Sequence, residues 1–291
     1  MSEPATPAAA DQAGWVKSER QREREAVAAR QRLIRGLIAT AVTVVVGAAV
    51  VTGLLLAPGW DRVQEYFLSW PDARDSFGAI GEGFLINIGI FLVAEPCVLV
   101  LGTLVAVTRQ TVSPWLAPLR LLAVVYTDLL RGVPTILVVA LCAIGIPALN
   151  LAGVTTSLFW LTTLALVLCY GAYVAEVIRA GILGVHPTQR ASAEALALSR
   201  SQTMRHVVLP QAFRRVVPPL MNDLVSLQKD TALISAVGVF EALRAAQDYQ
   251  GYHFNGTSVL VAAGYFLVVA VPLTRLTDWL LRREIRREHG R

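Results

Sequence analysis

The chain has 291 residues, of which 55% are hydrophobic and only 16% are charged, and its mean hydropathy is +0.54. A water-soluble domain carries about 25% charged residues, so this composition excludes a single globular domain in water. The formal net charge of +5 does not indicate nucleic-acid binding. The basic residues stand at the ends of apolar runs rather than in a stripe with interleaved aromatics.

The chain begins with a polar tail that ends in a dense run of charges between Lys17 and Arg35. We predict that residues 1–36 form a solvated, partly helical cytoplasmic tail. The next segment, residues 37–57, is apolar and exceeds the roughly 7–15 residues of a signal-peptide core. It is therefore predicted to be a retained transmembrane helix.

Residues 58–82 mix aromatic and acidic side chains, among them Trp60, Tyr66, Phe67 and Trp70. Tryptophan and tyrosine are enriched at the level of the lipid headgroups. This segment is predicted to be an extracytoplasmic interfacial loop.

Five further apolar segments are each close to the roughly 20 residues that a helix needs to cross a bilayer. They cover about 84–107, 121–149 (broken or bent near Pro134), 158–178, 216–239 and 259–281. With both termini in the cytoplasm, most Lys and Arg fall in the segments 1–36, 108–120, 180–215 and 282–291. This distribution follows the positive-inside tendency, so the sequence predicts an all-α membrane protein with six spans and a basic cytoplasmic C-terminus at 282–291.

The cytoplasmic loop between the fourth and fifth spans, residues 185–209, is rich in small residues and helix formers. We expect two short helices, one over Ser192–Leu198 and another beginning or ending near Pro210. An ordinary surface helix and a segment that docks on a cytoplasmic partner are about equally compatible with this composition.

The loop resembles the ATPase-docking loop of ABC importer permeases. The pattern of that loop is Glu-Ala-Ala, three residues, Gly, nine residues and Ile-x-Leu-Pro. Aligned on its last two residues, the pattern falls on Gln189, Ala191, Ser192, Ala193, Ala197, Leu209 and Pro210, with Gln189 preceding it as in the amino-acid branch. Two positions depart from the family pattern: Ala191 stands in place of the Glu, and Ala197 stands in place of the Gly. The first change removes a polar contact to the ATPase, and the second stiffens the turn.

Further motifs extend the resemblance over roughly residues 80–285. Arg131-Gly-Val-Pro134 is similar to Arg-Gly-Thr-Pro, and Ala172–Arg179 matches Ala-Tyr-x-x-Glu-x-x-Arg. Leu209–Ala212, Pro218-Pro219, Asn222 and Lys229–Thr231 match the segment that follows the docking loop. Together they indicate the polar amino acid branch, the glutamate, glutamine, histidine and arginine type of binding-protein-dependent permease.

This resemblance implies a type I importer transmembrane domain at 83–281, with a five-helix core, so that the helix at 37–57 is an addition. It implies a non-enzymatic permease subunit in the plasma membrane that moves a polar amino acid by alternating access. The partners implied are an ABC ATPase dimer, an extracytoplasmic solute-binding protein and a second permease in a homodimer or heterodimer. The chain lacks a phosphate loop and is expected to hold no cofactor or metal, with ATP and Mg on the ATPase.

Ionisable residues within the bilayer are expensive and indicate function. Glu176 and Arg179 are three residues apart on one helical face. We expect a structural ion pair, or alternatively a strut that positions the docking loop.

Five other polar residues are candidates for a substrate path or gate: Glu95, Asn222, Lys229, Asp230 and Thr231. Lys229 suits a substrate carboxylate and Asp230 an ammonium or guanidinium group. The alternative is that Lys229 and Asp230 pair with each other to brace a dimer or gate. Glu95 precedes Pro96, which frees a carbonyl and bends the helix, so a hydrogen-bonded or protonated carboxylate is the simpler interpretation.

Two other classes of protein remain as alternatives. An ion-coupled secondary transporter of small polar solutes would have two related halves, and no repeat is visible. A membrane enzyme would need a nucleophile and a base. The three cysteines, Cys97, Cys142 and Cys169, lie in apolar segments and are expected to be buried, inert thiols.

Overall fold

The structure is a computed structural model that describes residues 18–111 and 113–289. All regular secondary structure in these residues is helical. The chain divides into two units, one up to Val63 and the other from Gln64. The first 17 residues of the predicted tail and the last two of the chain lie outside the described residues.

The first unit contains α1, Glu19–Leu55, whose residues are all outside any buried core. The helix is longer than the predicted span, because the charged run from Glu19 to Arg35 is also helical. Glu, Arg, Gln and Ala, which dominate this run, are strong helix formers. Gly59 follows the helix with a φ of 102°, a conformation that glycine adopts without steric cost.

The predicted interfacial loop is helical. It contains α2, Trp60–Phe67, and the first turns of α3, Trp70–Gln110. Pro71 lies in the first turn of α3, where its missing N–H costs nothing. The helix runs 41 residues without a break and includes the predicted second span and Pro96.

The predicted break near Pro134 is confirmed. Helix α4, Ala117–Gly132, is followed by α5, Thr135–Ala140, a wider turn over Leu141–Gly145 and α6, Ile146–Ala148. The two halves meet at 108°. Val133 is extended, with φ of −103° and ψ of 134°, because a residue before proline is disfavoured in the helical region.

Helix α7, Leu158–Leu183, is the centre of the second unit. Its core cluster joins α3, α5 and α10, and includes the buried thiols Cys142 and Cys169. Cys97 is exposed, contrary to the expectation for this residue. Helices α3 and α7 approach closely at Gly102, where an added Cβ would lie 2.5 Å from Val174 Cγ1.

The remaining helices are α8, Pro187–Ala195; α9, Arg200–Thr203; α10, Leu209–Asp230; α11, Ala242–His253; and α12, Thr257–His289. The predicted fifth span is displaced: α10 begins at Leu209, with Pro210 in its first turn, and tightens into a 3₁₀ turn over Thr231–Val237. The chain then turns at Gly238, which has a φ of 89°.

Four described helices are long and apolar enough to cross a membrane, and the bent pair Pro114–Gly132 with Thr135–Ala148 makes a fifth candidate. Helix α10 does not join them, since prolines, Asn222, Asp223 and Lys229 lower its hydropathy.

Candidate functional site

The predicted docking loop, residues 185–209, contains a preformed turn between two short helices. Helix α8 ends in a Schellman motif: the Leu198 N–H donates to the Ala193 carbonyl at 3.1 Å, and the Ala197 N–H donates to the Glu194 carbonyl at 2.9 Å. Ala197 has a φ of 55°. This is the conformation for which glycine is preferred, and the residue occupies the position where the motif has its glycine.

A capping box begins α9. The Ser199 hydroxyl accepts from the Gln202 N–H at 3.3 Å, and the Gln202 side chain accepts from the Ser199 N–H at 2.9 Å. Both ends of the turn therefore have their backbone groups satisfied by local bonds. The predicted helix over Ser192–Leu198 is displaced, because α8 covers Pro187–Ala195. The second short helix is α9, Arg200–Thr203, whereas Pro210 lies in the first turn of the longer α10.

The motif residues divide between two faces. Ala193 is 3% exposed and faces the interior. Near it, Val208 packs with Ile182, Val185 and Ala212 in a small apolar cluster. The other motif positions are exposed: Gln189, Ala191, Ser192, Ala197, Leu209 and Pro210. Leu196, at the edge of this outer surface, is 77% exposed.

Two arginines attach the loop to the end of α7. Arg190 donates to the Ile182 carbonyl at 3.0 Å, and Arg215 donates to the Gly184 carbonyl. These carbonyls end a helix and lack intrahelical partners. The docking loop is therefore held in place by the helix that precedes it and the helix that follows it.

Glu176 is the centre of a cluster of charges, not one member of a pair. It accepts from Arg109 at 2.9 Å and from Arg179 Nε at 3.0 Å, and Arg131 lies 3.7 Å away. Arg109 also donates to Thr127 at 2.9 Å. The predicted contact of Glu176 with Arg179 is present. Arg109 on α3 and Arg131 on α4 make further contacts with the same carboxylate.

This cluster brings two sequence motifs together. Arg131 begins the Arg-Gly-Val-Pro segment, and Glu176 and Arg179 belong to the Ala-Tyr-x-x-Glu-x-x-Arg segment. One carboxylate faces three guanidinium groups, so the cluster is cationic. Charge-assisted bonds of this kind are about twice as strong as neutral ones, and they tie α3, α4 and α7 together near the docking loop.

A second group of polar side chains lies between α3, α7 and α10. Asp230 accepts from the Tyr170 hydroxyl at 2.8 Å. Asp223 lies on the same helix as Asp230, seven residues or about two turns earlier. The Asp223 Oδ2 atom is buried and has no hydrogen-bond partner, a costly arrangement in an apolar environment. Asp223 was not among the candidates that the sequence singled out for the path.

Lys229 and Asp230 do not form the predicted alternative of a mutual pair in the described part of the chain, because Asp230 bonds to Tyr170 instead. Lys229 and Asn222 are both exposed. They are seven residues apart, which is close to two helical turns, so they lie on one face of α10.

Glu95 lines an open groove of about 660 Å³ between α3, α7 and α10. Its other lining residues on α3 are Leu99 and Thr103. Glu95 is the one ionisable side chain that lines the groove, and apart from Thr103 the other lining residues are apolar.

Thr231 belongs to a buried hydrogen-bond network. It is fully buried, and its hydroxyl donates to the Gln228 carbonyl at 2.7 Å and accepts from Asn87 at 3.2 Å. Asn87 also donates to Glu241 at 2.9 Å, and Glu241 caps α11 by accepting from the Leu243 and Arg244 N–H groups. The sequence signal for Asn87 and Glu241 was weak, since each is a single polar residue without a motif.

Among known proteins, residues 98–286 match the family model described as the binding-protein-dependent transport system inner membrane component. The chain belongs to this family. The match covers the region from the second half of α3 to α12, including residues 185–209, the cluster around Glu176, and Asp223 and Asp230, whereas Glu95 precedes it.

Curated relatives include permeases of this family. The arginine transport system permease protein ArtQ of Bacillus subtilis is 30% identical over 208 residues, which cover 70% of this chain and 91% of ArtQ. The glutamine transport system permease protein GlnP of Escherichia coli is 31% identical over 207 residues, covering 71% of this chain and 91% of GlnP.

Solved structures agree with this assignment. A crystal structure of an amino acid ABC transporter with histidines has a TM-score of 0.65 and 25% identity, covering 71% of this chain and 94% of that chain. The inward-facing MetNI methionine ABC transporter has a TM-score of 0.55 and 18% identity, covering 70% and 95%. The latter likeness supports the fold alone. The binding-protein-dependent permease is thus a multi-pass, non-enzymatic transport subunit.

Proposed function

We propose that this permease imports a polar amino acid across the plasma membrane, driven by ATP hydrolysis on a separate ATPase. The observation that carries the proposal is the preformed loop at residues 187–203, in which every motif residue except Ala193 is exposed. A loop whose backbone bonds are satisfied internally keeps its outer face available for a partner. The relatives named for arginine and glutamine transport give the substrate class.

An ATPase dimer docks from the cytoplasm on Gln189, Ala191, Ser192, Ala197, Leu209 and Pro210. Ala193 supports this surface from beneath, since its side chain is buried. Alanine at position 191 replaces the acidic residue of the motif, so the contact relies on shape and apolar area. Leu196 supplies exposed apolar area beside it. ATP and Mg bind to the ATPase.

The remaining subunits follow from the same family membership. A solute-binding protein delivers the amino acid at the extracytoplasmic side, and a second permease, identical or similar, completes the translocation path. Six spans with both termini in the cytoplasm place the docking loop on the ATPase side. In this arrangement α10 is the fifth span despite its polar residues, because its buried face packs against α7 and α3.

The carboxylates between α3, α7 and α10 form the candidate path for the substrate ammonium or guanidinium group. Asp223 has an unpartnered buried oxygen. Asp230 lies seven residues further along α10, and Glu95 lines the groove that α10 borders. A positive group stabilises buried carboxylates that lack a protein partner. Lys229 and Asn222 lie on the exposed face of α10 and suit a gate or a substrate carboxylate. Thr231 holds this end of α10 in place through its buried hydrogen bonds to Gln228 and Asn87.

The test is uptake of labelled amino acids by the permease reconstituted in vesicles with its ATPase and solute-binding protein. We expect uptake that requires ATP, and Ser192→Arg should reduce it severalfold by placing a bulky charge on the docking surface. Ser157→Arg is the matched control, since Ser157 is exposed before α7 and lies far from the docking loop in sequence. Uptake by the permease alone, without the ATPase, would refute the proposal.

The same assay separates the roles of the polar residues. Asp223→Asn and Asp230→Asn should lower uptake about tenfold or more, because a hydrogen bond to a charged group contributes roughly 1.5–3 kcal/mol. Lys229→Ala should have a smaller effect, because its side chain is exposed. Glu95→Gln should also have a smaller effect, because this change keeps the size of the side chain and Glu95 lines an open groove. Asp248→Asn is the control, since Asp248 pairs with Arg244 in an exposed position at 3.1 Å. Wild-type uptake by the first two variants would remove them from the path.

A further inference from the structure

A second groove lies at the other end of α3, between the first turns of α3 and α12. Its volume is about 690 Å³, within the roughly 300–1,000 Å³ of ligand pockets. Helix α3 contributes Trp70, Ala73, Arg74 and Phe77, and helix α12 contributes Val261, Gly264, Tyr265 and Val268. Both sets follow the spacing of one helical face, so two matching stripes form the walls.

The floor of this groove is fixed in position. The Tyr265 hydroxyl donates to the Phe77 carbonyl at 3.2 Å. The Tyr265 ring packs against Phe77 and Phe84, with centroids 5.0 and 5.4 Å apart. At Gly264 an added Cβ would meet no atom within 4 Å, so the missing side chain leaves open space in the wall. The groove is therefore preformed.

Arg74 is the single charged side chain that lines the groove, and it is exposed. The neighbouring Asp72 is bonded elsewhere: it accepts from the Tyr249 hydroxyl at 3.0 Å, on the α11 side of the helix. Burial, together with the hydrogen bond to Asp72 and the charges of Asp72 and Asp75, raises the pKa of Tyr249 to about 12. Among the described residues, no carboxylate forms an ion pair with Arg74.

The dimensions match one leaflet of a bilayer. Val261 and Val268 are seven residues apart, which corresponds to about 10 Å along α12. One leaflet has a hydrocarbon thickness of roughly 15 Å. Arg74 lies one turn inside the start of α3, from where a long side chain reaches the headgroup level. Trp70, which is 78% exposed, lies at the same end and suits that level as well.

We propose that this groove binds one anionic phospholipid, with an acyl chain between α3 and α12 and the phosphate on Arg74. A guanidinium group donates two parallel bonds to a phosphate, and the positive charge favours a lipid with net negative charge over a zwitterionic one. The apolar walls of Phe77, Val261 and Val268 take the chain. This site is separate from the docking loop and from the carboxylates of the substrate path.

The experiment is native mass spectrometry of the full chain, with any subunits that copurify, from nanodiscs of equal phosphatidylglycerol and phosphatidylcholine. We expect the wild type to retain phosphatidylglycerol preferentially. Arg74→Gln should lower that retention roughly fivefold, since a basic residue near the membrane surface contributes about 1 kcal/mol to binding an anionic lipid. Arg74→Lys should restore most of it.

Gly264→Leu provides an independent variant, because a Cβ added at this position meets no atom within 4 Å and the rest of the leucine side chain would occupy the groove. It should lower retention of both lipids. Arg244→Gln is the control, since Arg244 pairs with Asp248 and lines no part of the groove. Equal retention of the two lipids by the wild type, or unchanged retention in both Arg74→Gln and Gly264→Leu, would overturn the proposal. A protein segment found in the groove instead of lipid would overturn it as well.

Discussion

At the scale of single residues, Ala197 combines a motif position with an unfavourable backbone conformation. Its φ of 55° costs a residue with a Cβ roughly 1–2 kcal/mol relative to glycine. The Schellman bonds on both sides hold the residue there. The docking loop therefore contains a local strain that the glycine of the family motif would not have.

Ala197→Gly should stabilise the docking loop by about 1 kcal/mol, because glycine adopts a positive φ without steric cost while losing some entropy on folding. The measurement is hydrogen exchange of the amides in residues 187–203, which should slow severalfold. Ala195→Gly makes the same chemical change inside α8 and should accelerate exchange. Faster exchange in Ala197→Gly would show that the turn is not strained.

Glu176 shows how one carboxylate acts on several elements. Its bonds to Arg109 and Arg179 are short, whereas Arg131 is farther away and 40% exposed. Removing an exposed partner of an ion pair has little effect, and removing a buried one has a large effect. Arg109, at 12% exposed, is thus the most important of the three arginines for joining the spans.

At the scale of elements, α3 and α11 are in contact through backbone. An added Cβ at Gly83 would lie 2.6 Å from the Glu241 carbonyl carbon. Asn87, one turn further along α3, donates to Glu241 and accepts from the Ala242 N–H at 3.2 Å. The close approach at Gly83 is what brings these polar groups within bonding distance.

Gly83→Ala should destabilise the assembled permease by about 1–3 kcal/mol, the usual cost of overpacking. Thermal unfolding of the purified protein measures it, as a lower midpoint temperature. Gly78→Ala is the matched control, since an added Cβ on the same helix would meet nothing within 4 Å. That control should be neutral or slightly stabilising. A neutral Gly83→Ala would mean that α11 moves away from α3 at little cost.

The break at Pro134 also belongs to this scale. The ring of Pro134 clashes with a helical conformation of the preceding residue, so Val133 leaves the helical region. The bend of 108° lets α4 contact α3 and α7 while α5 contacts α7 and the turn after α10. A straight helix could not make both sets of contacts.

At the scale of the whole molecule, the proposed function requires the docking loop and the α11 end to lie on opposite sides of the membrane. We expect Tyr252→Cys, at a site that is 83% exposed, to react with an impermeant maleimide in intact cells. Arg200→Cys should react only after permeabilisation. Both variants need the Cys97→Ala background, because Cys97 is exposed whereas Cys142 and Cys169 are buried. Labelling of Arg200→Cys in intact cells would contradict the orientation.

The sequence alone determined the class of this protein and the break at Pro134, and it predicted the position of the docking loop. These features could be predicted because the hydropathy of a segment and the effect of a proline depend on neighbouring residues. The docking motif is likewise one contiguous segment. The sequence also predicted the contact of Glu176 with Arg179, which are one turn apart on one helix. The length of α1, the helical start of α3 and the displaced start of α10 were not apparent, since polar helix formers and proline at a first turn obscure boundaries.

Only the tertiary structure decided which distant residues meet. Arg109 and Arg131 join Glu176, Asp230 bonds to Tyr170 rather than to Lys229, and Asn87 joins Glu241. These pairs are separated by 45 or more residues along the chain. No local propensity encodes such separations: they depend on how the helices pack, which is set by close contacts such as those at Gly83 and Gly102.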